Sequence, residues 1–199
     1  AMIGINLPNE DWIRTEHGSK SVSLRNIIEA YENTGGVAQL REFAYDEDEV
    51  KRAIKYGSLS SNLKTALHEV VGHASGKSAD GVEPRVALKN YYSVIEEARA
   101  DLVALYYLYD EKIEELGLCG KGEWNEVAKA GYDAYIRNAL IIQLTKLKAG
   151  DNLEQAHMKN RHAIASWVFN KGSDIGSGVI RRITRNGKTY YRINDYEAL

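Results

Sequence analysis

The stretch that most constrains this chain is His68-Glu69-Val70-Val71-Gly72-His73. Two imidazoles and a carboxylate stand inside an apolar helical pattern over 61–74, with Leu63, Ala66, Leu67, Val70 and Val71 as its core face. Neutral imidazole nitrogens are good zinc ligands, and a carboxylate beside them can take a proton from an activated water. The common zinc-peptidase helix reads H-E-x-x-H, with its histidines four apart on one face. Here they are five apart. At about 100° per residue the second ring lies about 140° round an ideal helix from the first. Both can reach one metal only if the helix takes in an extra residue, as in a π-bulge. Gly72, directly before His73, tolerates such a distortion best. Without the bulge these are two unrelated histidines on a core helix.

A second stretch, Tyr91 to Tyr109, reads YYSVIEEARADLVALYYLY. Carboxylates inside so apolar a helix are costly unless they are paired or bind a metal. One of them would complete a three-ligand site and leave a fourth position open. Glu97 and Asp101 are four apart and share a face. One could ligate while the other orients a ligand histidine through its ring N–H. Alone, the stretch reads as a solvated stripe with Arg99 a surface charge. Beside His68 and His73 the metal reading is the stronger.

HEVVGH followed by EEARAD resembles the dipeptidyl-peptidase III family of zinc peptidases, whose pattern is H-E-x-x-G-H and then E-E-x-R-A-E. Asn6-Leu7-Pro8-Asn9-Glu10-Asp11-Trp12-Ile13-Arg14 resembles the family's N-x-P-N-x-D-x-x-R substrate segment, with Ser21-Val22-Ser23-Leu24 following. Gln155-Ala156-His157-Met158-Lys159-Asn160-Arg161 resembles its Q-A-H-M-x-x-R segment. The resemblance implies one zinc ion per chain, held by His68, His73 and Glu97, with Glu69 as general base. It implies that Glu96 and Asp101 support the ligands and that Asn6 and Asn9 hold the peptide backbone. It also implies that His157 and Arg161 line the substrate side, with His157 in a catalytic role. Ala98 stands where relatives often have Cys, and Asp101 where Glu is usual. Family members have two lobes around a cleft, so the resemblance implies the catalytic lobe of a longer enzyme. A second lobe would then be the partner of this one.

The fold expected is mainly α, a single helical zinc-binding lobe with a small C-terminal β-hairpin. Residues 1–22 read as an extended or looped substrate segment, with Pro8 blocking regular pairing. Helices are expected over 23–171. One starts at Ser23 and ends at Gly35-Gly36; another is opened by Asp46 and broken at Gly57. The carboxylate helix is expected to run to Leu116. A further helix spans Glu123 to Lys148, and the next is capped by Asp151 or Asn152. On that last helix His157 and Arg161, four apart, project together. Over 179–193, Asn186-Gly187 between β-branched and aromatic residues is a strong hairpin signal.

The balance of 26 basic and 28 acidic side chains gives a net charge of −2. That suggests neither a nucleic-acid footprint nor a membrane surface. The single cysteine, Cys119, excludes an intrachain disulfide framework and fits a reducing, cytoplasmic compartment. The reading is zinc-dependent hydrolysis of short peptides, with release of N-terminal dipeptides (an aminopeptidase-like action) implied by the resemblance. The alternatives are a zinc-binding lobe inactive alone and a non-catalytic interaction module. Ligand type alone admits nickel or cobalt as well as zinc.

Overall fold

The computed structural model describes residues 4–7, 11–18, 20–23, 36–148 and 151–199. Its first part is more regular than the extended or looped segment expected over 1–22. Strands β1 (Gly4–Leu7) and β2 (Lys20–Ser23) pair antiparallel, Gly4 opposite Ser23 and Leu7 opposite Lys20, with helix α1 (Asp11–His17) between them. The helix expected from Ser23 to Gly36 falls mostly on residues outside those described, though Ser23 itself is in β2. A helical run, α2, follows over 36–43.

Helix α3 (Glu47–Ala66) begins as expected. Asp46 is extended, and its side chain accepts from Glu49 N at 2.9 Å. Three acidic residues fill the first turn, where the helix dipole favours them. The expected break at Gly57 does not occur. Glycine in a helix interior costs about 1 kcal/mol relative to alanine, which a long helix packed along α7 absorbs. The helix runs directly into a π segment, Leu67–Gly72.

The chain then passes through a short helix α4 (Pro84–Leu88) and a 3₁₀ turn to α5 (Tyr92–Leu108). Helix α5 stops at Leu108 rather than Leu116, because Asp110 accepts from Lys112 N at 2.9 Å and restarts the chain as α6 (Lys112–Glu115). Helix α7 (Trp124–Arg137) ends in a second π segment, Asn138–Ile142, and a 3₁₀ turn. This second extra residue places buried Gln143 so that its amide donates to Ala139 O and Met158 O, both at 3.1 Å. Helix α8 (Ala156–Lys171) starts later than the sequence suggests. Asp151 closes a turn with Lys148 N at 2.8 Å instead of capping the helix.

Strands β3 (Ile180–Arg185) and β4 (Lys188–Ile193) form the C-terminal hairpin. Asn186 and Gly187 have φ of 52° and 76°, the left-handed pair that a tight hairpin turn of the primed kind requires. The hairpin packs on this chain's own helices. Val179, Ile180 and Ile193 join Tyr135, Ile136, Ala139, Leu140 and Ala165 in the core. Within the α3–α7 interface Arg137 pairs with buried Glu49, and Arg52 meets Asp133 at 2.6 Å. Among the described residues no helix is long and apolar enough to cross a membrane.

Candidate metal centre

The spacing problem posed by HEVVGH is solved in the backbone. His73 N donates to His68 O at 3.0 Å, five residues back, as in a π-helix. The extra residue turns the two rings onto one side, edge to face, with centroids 4.7 Å apart. Gly72 has a second use that the sequence does not reveal. A Cβ there would lie 2.8 Å from Ala100 O and 2.9 Å from Ala100 Cα. Its φ is not left-handed. What α5 needs from Gly72 is closeness.

That close approach brings Glu97 to the histidines. Its Oε2 lies 3.3 Å from His68 Nε2 and its Oε1 4.0 Å from His73 Nε2. One ligand atom from each of His68, His73 and Glu97 lies within 4.8 Å of the others. The opposite ring nitrogens are held by the two flanking carboxylates. His68 Nδ1 is 2.9 Å from Asp101 Oδ1, and His73 Nδ1 is 3.0 Å from Glu96 Oε1. A carboxylate on Nδ1 fixes the ring and directs Nε2 toward a shared point. Asp101 makes this contact although it is one methylene shorter than the glutamate of the pattern. Its other oxygen accepts from Asn160 Nδ2 at 3.0 Å and Tyr135 OH at 3.2 Å, and Arg161 Nε stands 3.7 Å away.

The electrostatics follow from these partners. Burial alone would lower the His68 pKa, but Asp101 and Glu97 outweigh it and hold the imidazole up to about 9. Burial alone would raise Glu97, but the His157 and His68 rings bring it down to about 2. Glu96 is likewise brought to about 2, against its burial, by His73 and Arg99. Asp101 lies well below the usual carboxylate range for the same kind of reason, with His68 foremost among the groups that outweigh its burial. The donors are thus ionised carboxylates facing imidazoles across a gap. Glu97 Oε2 is buried and accepts no well-directed hydrogen bond, although two imidazole nitrogens lie close by. Two imidazoles, one carboxylate and a buried oxygen without a directed donor fit a zinc-type cation.

The remaining expected residues divide. His157, largely exposed on α8, has its Nδ1 3.0 Å from Glu97 Oε2, so it stands at the mouth of the site. Glu69, half-buried, lies in the π segment between the histidines. Arg161 turns toward Asp101, behind His68. Asn6 is placed on β1, opposite Ser21, in a ribbon that lies against the π segment. Asn9 lies outside the described residues.

Three residues of the site were given no part in it by sequence reasoning, Arg99 being read as a surface charge. Arg99 donates to Gly72 O at 2.7 Å and Ser75 O at 2.8 Å, and to Glu96 Oε1 at 2.6 Å and Oε2 at 3.0 Å. It ties the end of the π segment to the carboxylate that holds His73. Its spacing of three from Glu96 signals a pair on a helix but not the second helix it clasps. Tyr135 and Asn160 converge on Asp101 from α7 and α8, and nothing local in the sequence marks them.

Comparison with known proteins gives the family. The model of peptidase family M49 matches residues 1–85 and 78–193. The chain belongs to peptidase family M49. Relatives of this M49 chain include dipeptidyl peptidase 3 of Homo sapiens, 26% identical over 86% of the chain and 27% of that protein. Dipeptidyl peptidase 3 of Dictyostelium discoideum is 27% identical over 85% of the chain and 29% of that protein. The M49 chain therefore spans little more than a quarter of the length of these relatives. The solved structure of DPP III from Caldithrix abyssi superposes with a TM-score of 0.68 at 22% identity, covering 97% of this chain and 33% of that one. The two share a fold.

Proposed function

We propose that this chain is the zinc-bearing lobe of a peptidase that releases dipeptides from the N-termini of short peptides. The observation that carries the reading is the convergence of His68, His73 and Glu97 across two helices. The same three residues would hold the ion. Bound there, zinc would supply Lewis acidity and make water acidic enough to lose a proton near neutral pH. Glu69 would accept that proton and later return it to the leaving amine. Asp101 and Glu96 would keep His68 and His73 in register. His157 at the mouth would donate to the oxyanion that develops on the scissile carbonyl. Arg161 would support that wall, and Asn6 and Asn9 would hold the peptide backbone. A second lobe would complete the cleft. The single cysteine supports placement in the cytoplasm.

Elemental analysis of the purified chain should find about one zinc, lost in His73→Ala. In the enzyme that contains this lobe, Glu69→Gln should keep the zinc and cut hydrolysis of an unblocked tetrapeptide by about 10²–10⁴-fold. Dipeptides should be the products, and the N-acetylated tetrapeptide should survive. Zinc retained in His73→Ala would overturn the ligand set. Unchanged turnover in Glu69→Gln would overturn the base.

A further inference from the structure

A cavity of about 930 Å³ opens between α5, α7, α8 and the C-terminal residues, and neither His68 nor His73 lines it. Its walls are aromatic. Tyr109 stacks on Tyr132 at 5.4 Å and meets Trp124 edge-on at 5.7 Å. Its lining includes the carboxylates of Asp110, Glu111 and Glu197, and no lysine, arginine or histidine is among the described residues that line it. Lys112, outside the lining, is the cation that Glu111 acts on. Burial, then Glu197 and Asp195, raise the pKa of the Tyr109 hydroxyl.

One lining ring already takes cations. The Tyr196 ring has the Arg52 guanidinium at 5.8 Å and Lys129 Nζ at 5.6 Å from its centroid. Both of those cations are paired with Glu126. A second recess of about 520 Å³ shares Glu111 and Trp124 with the first, adds Glu114 and Glu115, and has Lys121 as the only cation in its described lining. Together they form an aromatic and acidic track.

Aromatic faces attract cations, most strongly where water is excluded, and carboxylates at the rim add to that attraction. The track extends beyond a single amine, since acidic groups recur along it. We propose that it is a docking site for a peptide segment in which lysine or arginine alternates with an aromatic or aliphatic side chain. The basic groups would meet Glu111, Glu197 and the ring faces, and the apolar side chain would fill the recess. This inference stands whether or not the metal centre hydrolyses peptides.

The test is calorimetric titration of this 199-residue chain with acetyl-Lys-Phe-Arg-amide. Acetyl-Gln-Phe-Gln-amide and phenethyltrimethylammonium serve as comparison probes. The basic peptide should bind at least about ten-fold more tightly than the neutral one, and more weakly as salt is raised. The double substitution Glu111→Gln/Glu197→Gln, at two exposed positions, should weaken it about ten-fold or more while leaving far-UV circular dichroism unchanged. His73→Ala should change its affinity less than about two-fold, since additivity holds for separate sites. No binding at millimolar peptide, equal binding of the neutral peptide, or loss only in His73→Ala would overturn the inference. Binding of the small ammonium as tightly as the peptide would assign the recess to free amines. Self-association abolished by the double substitution would assign it to a second copy of the chain. Either result overturns the peptide assignment.

Discussion

Gly72 shows how much one missing atom can decide. With no Cβ it lets the α5 backbone approach until Ala100 O and Cα would lie within 3 Å of a methyl placed there. The contact is with backbone, which cannot rotate aside. Gly72→Ala should therefore push α5 away from the π segment at a cost of about 1–3 kcal/mol, the usual range for overpacking. Glu97 moves with α5, so the zinc affinity should fall by at least about ten-fold, equivalent to about 1.4 kcal/mol. Urea denaturation and a competitive zinc titration check the two effects. A variant with unchanged zinc affinity would mean that Glu97 reaches the site without the close approach. Gly57→Ala is the control, since nothing lies within 4 Å of a Cβ at that position.

At the scale of the element, α3 and its π extension act as one rod that starts far from the site and ends in it. Asp46 secures the start by accepting from Glu49 N. Asp46→Ala should lower stability by about 1 kcal/mol, as removal of an N-cap does. Asp48→Ala, at an exposed side chain in the same turn, should stay within about 0.5 kcal/mol. Chemical denaturation separates the two. Equal effects would assign the loss to first-turn charge rather than to the cap. Both Asp46 and the π distortion were legible: the cap is local chemistry, and histidines five apart cannot share a metal on a regular helix. The uninterrupted passage through Gly57 and the end of α5 at Leu108 were not. Packing against α7 decides the first, and the Asp110 turn decides the second.

Across the whole molecule, the α3–α7 interface carries ions as well as apolar side chains. Glu49 and Arg137 are buried and paired, and Glu49 also accepts from Tyr45 N at 2.8 Å. Removing one partner leaves a buried charge alone, so Arg137→Met should cost about 3–5 kcal/mol. The double substitution Glu49→Leu/Arg137→Met should cost clearly less than the single one, because apolar pairs of similar volume often replace buried ion pairs at little cost. Urea midpoints for the three proteins check this. A double variant less stable than Arg137→Met would show that the pair stabilises the interface beyond mutual compensation.

The two motifs that carry candidate metal ligands, their need for a bulge, the mostly helical architecture and the Asn186-Gly187 hairpin could all be read from the chain, because each depends on neighbours a few residues apart. The groups that brace Asp101 and the end of the π segment could not. Asn160, Tyr135 and Arg161 reach Asp101 from two other helices, and Arg99 clasps the end of the π segment from α5. The paired N-terminal strands also escaped the local pattern, since a proline in the sequence next to Leu7 reads as a block to regular pairing. Residue type and spacing announce which atoms can bind a metal. Only the packing of α5, α7 and α8 around the π segment decides where those atoms point and what holds them there.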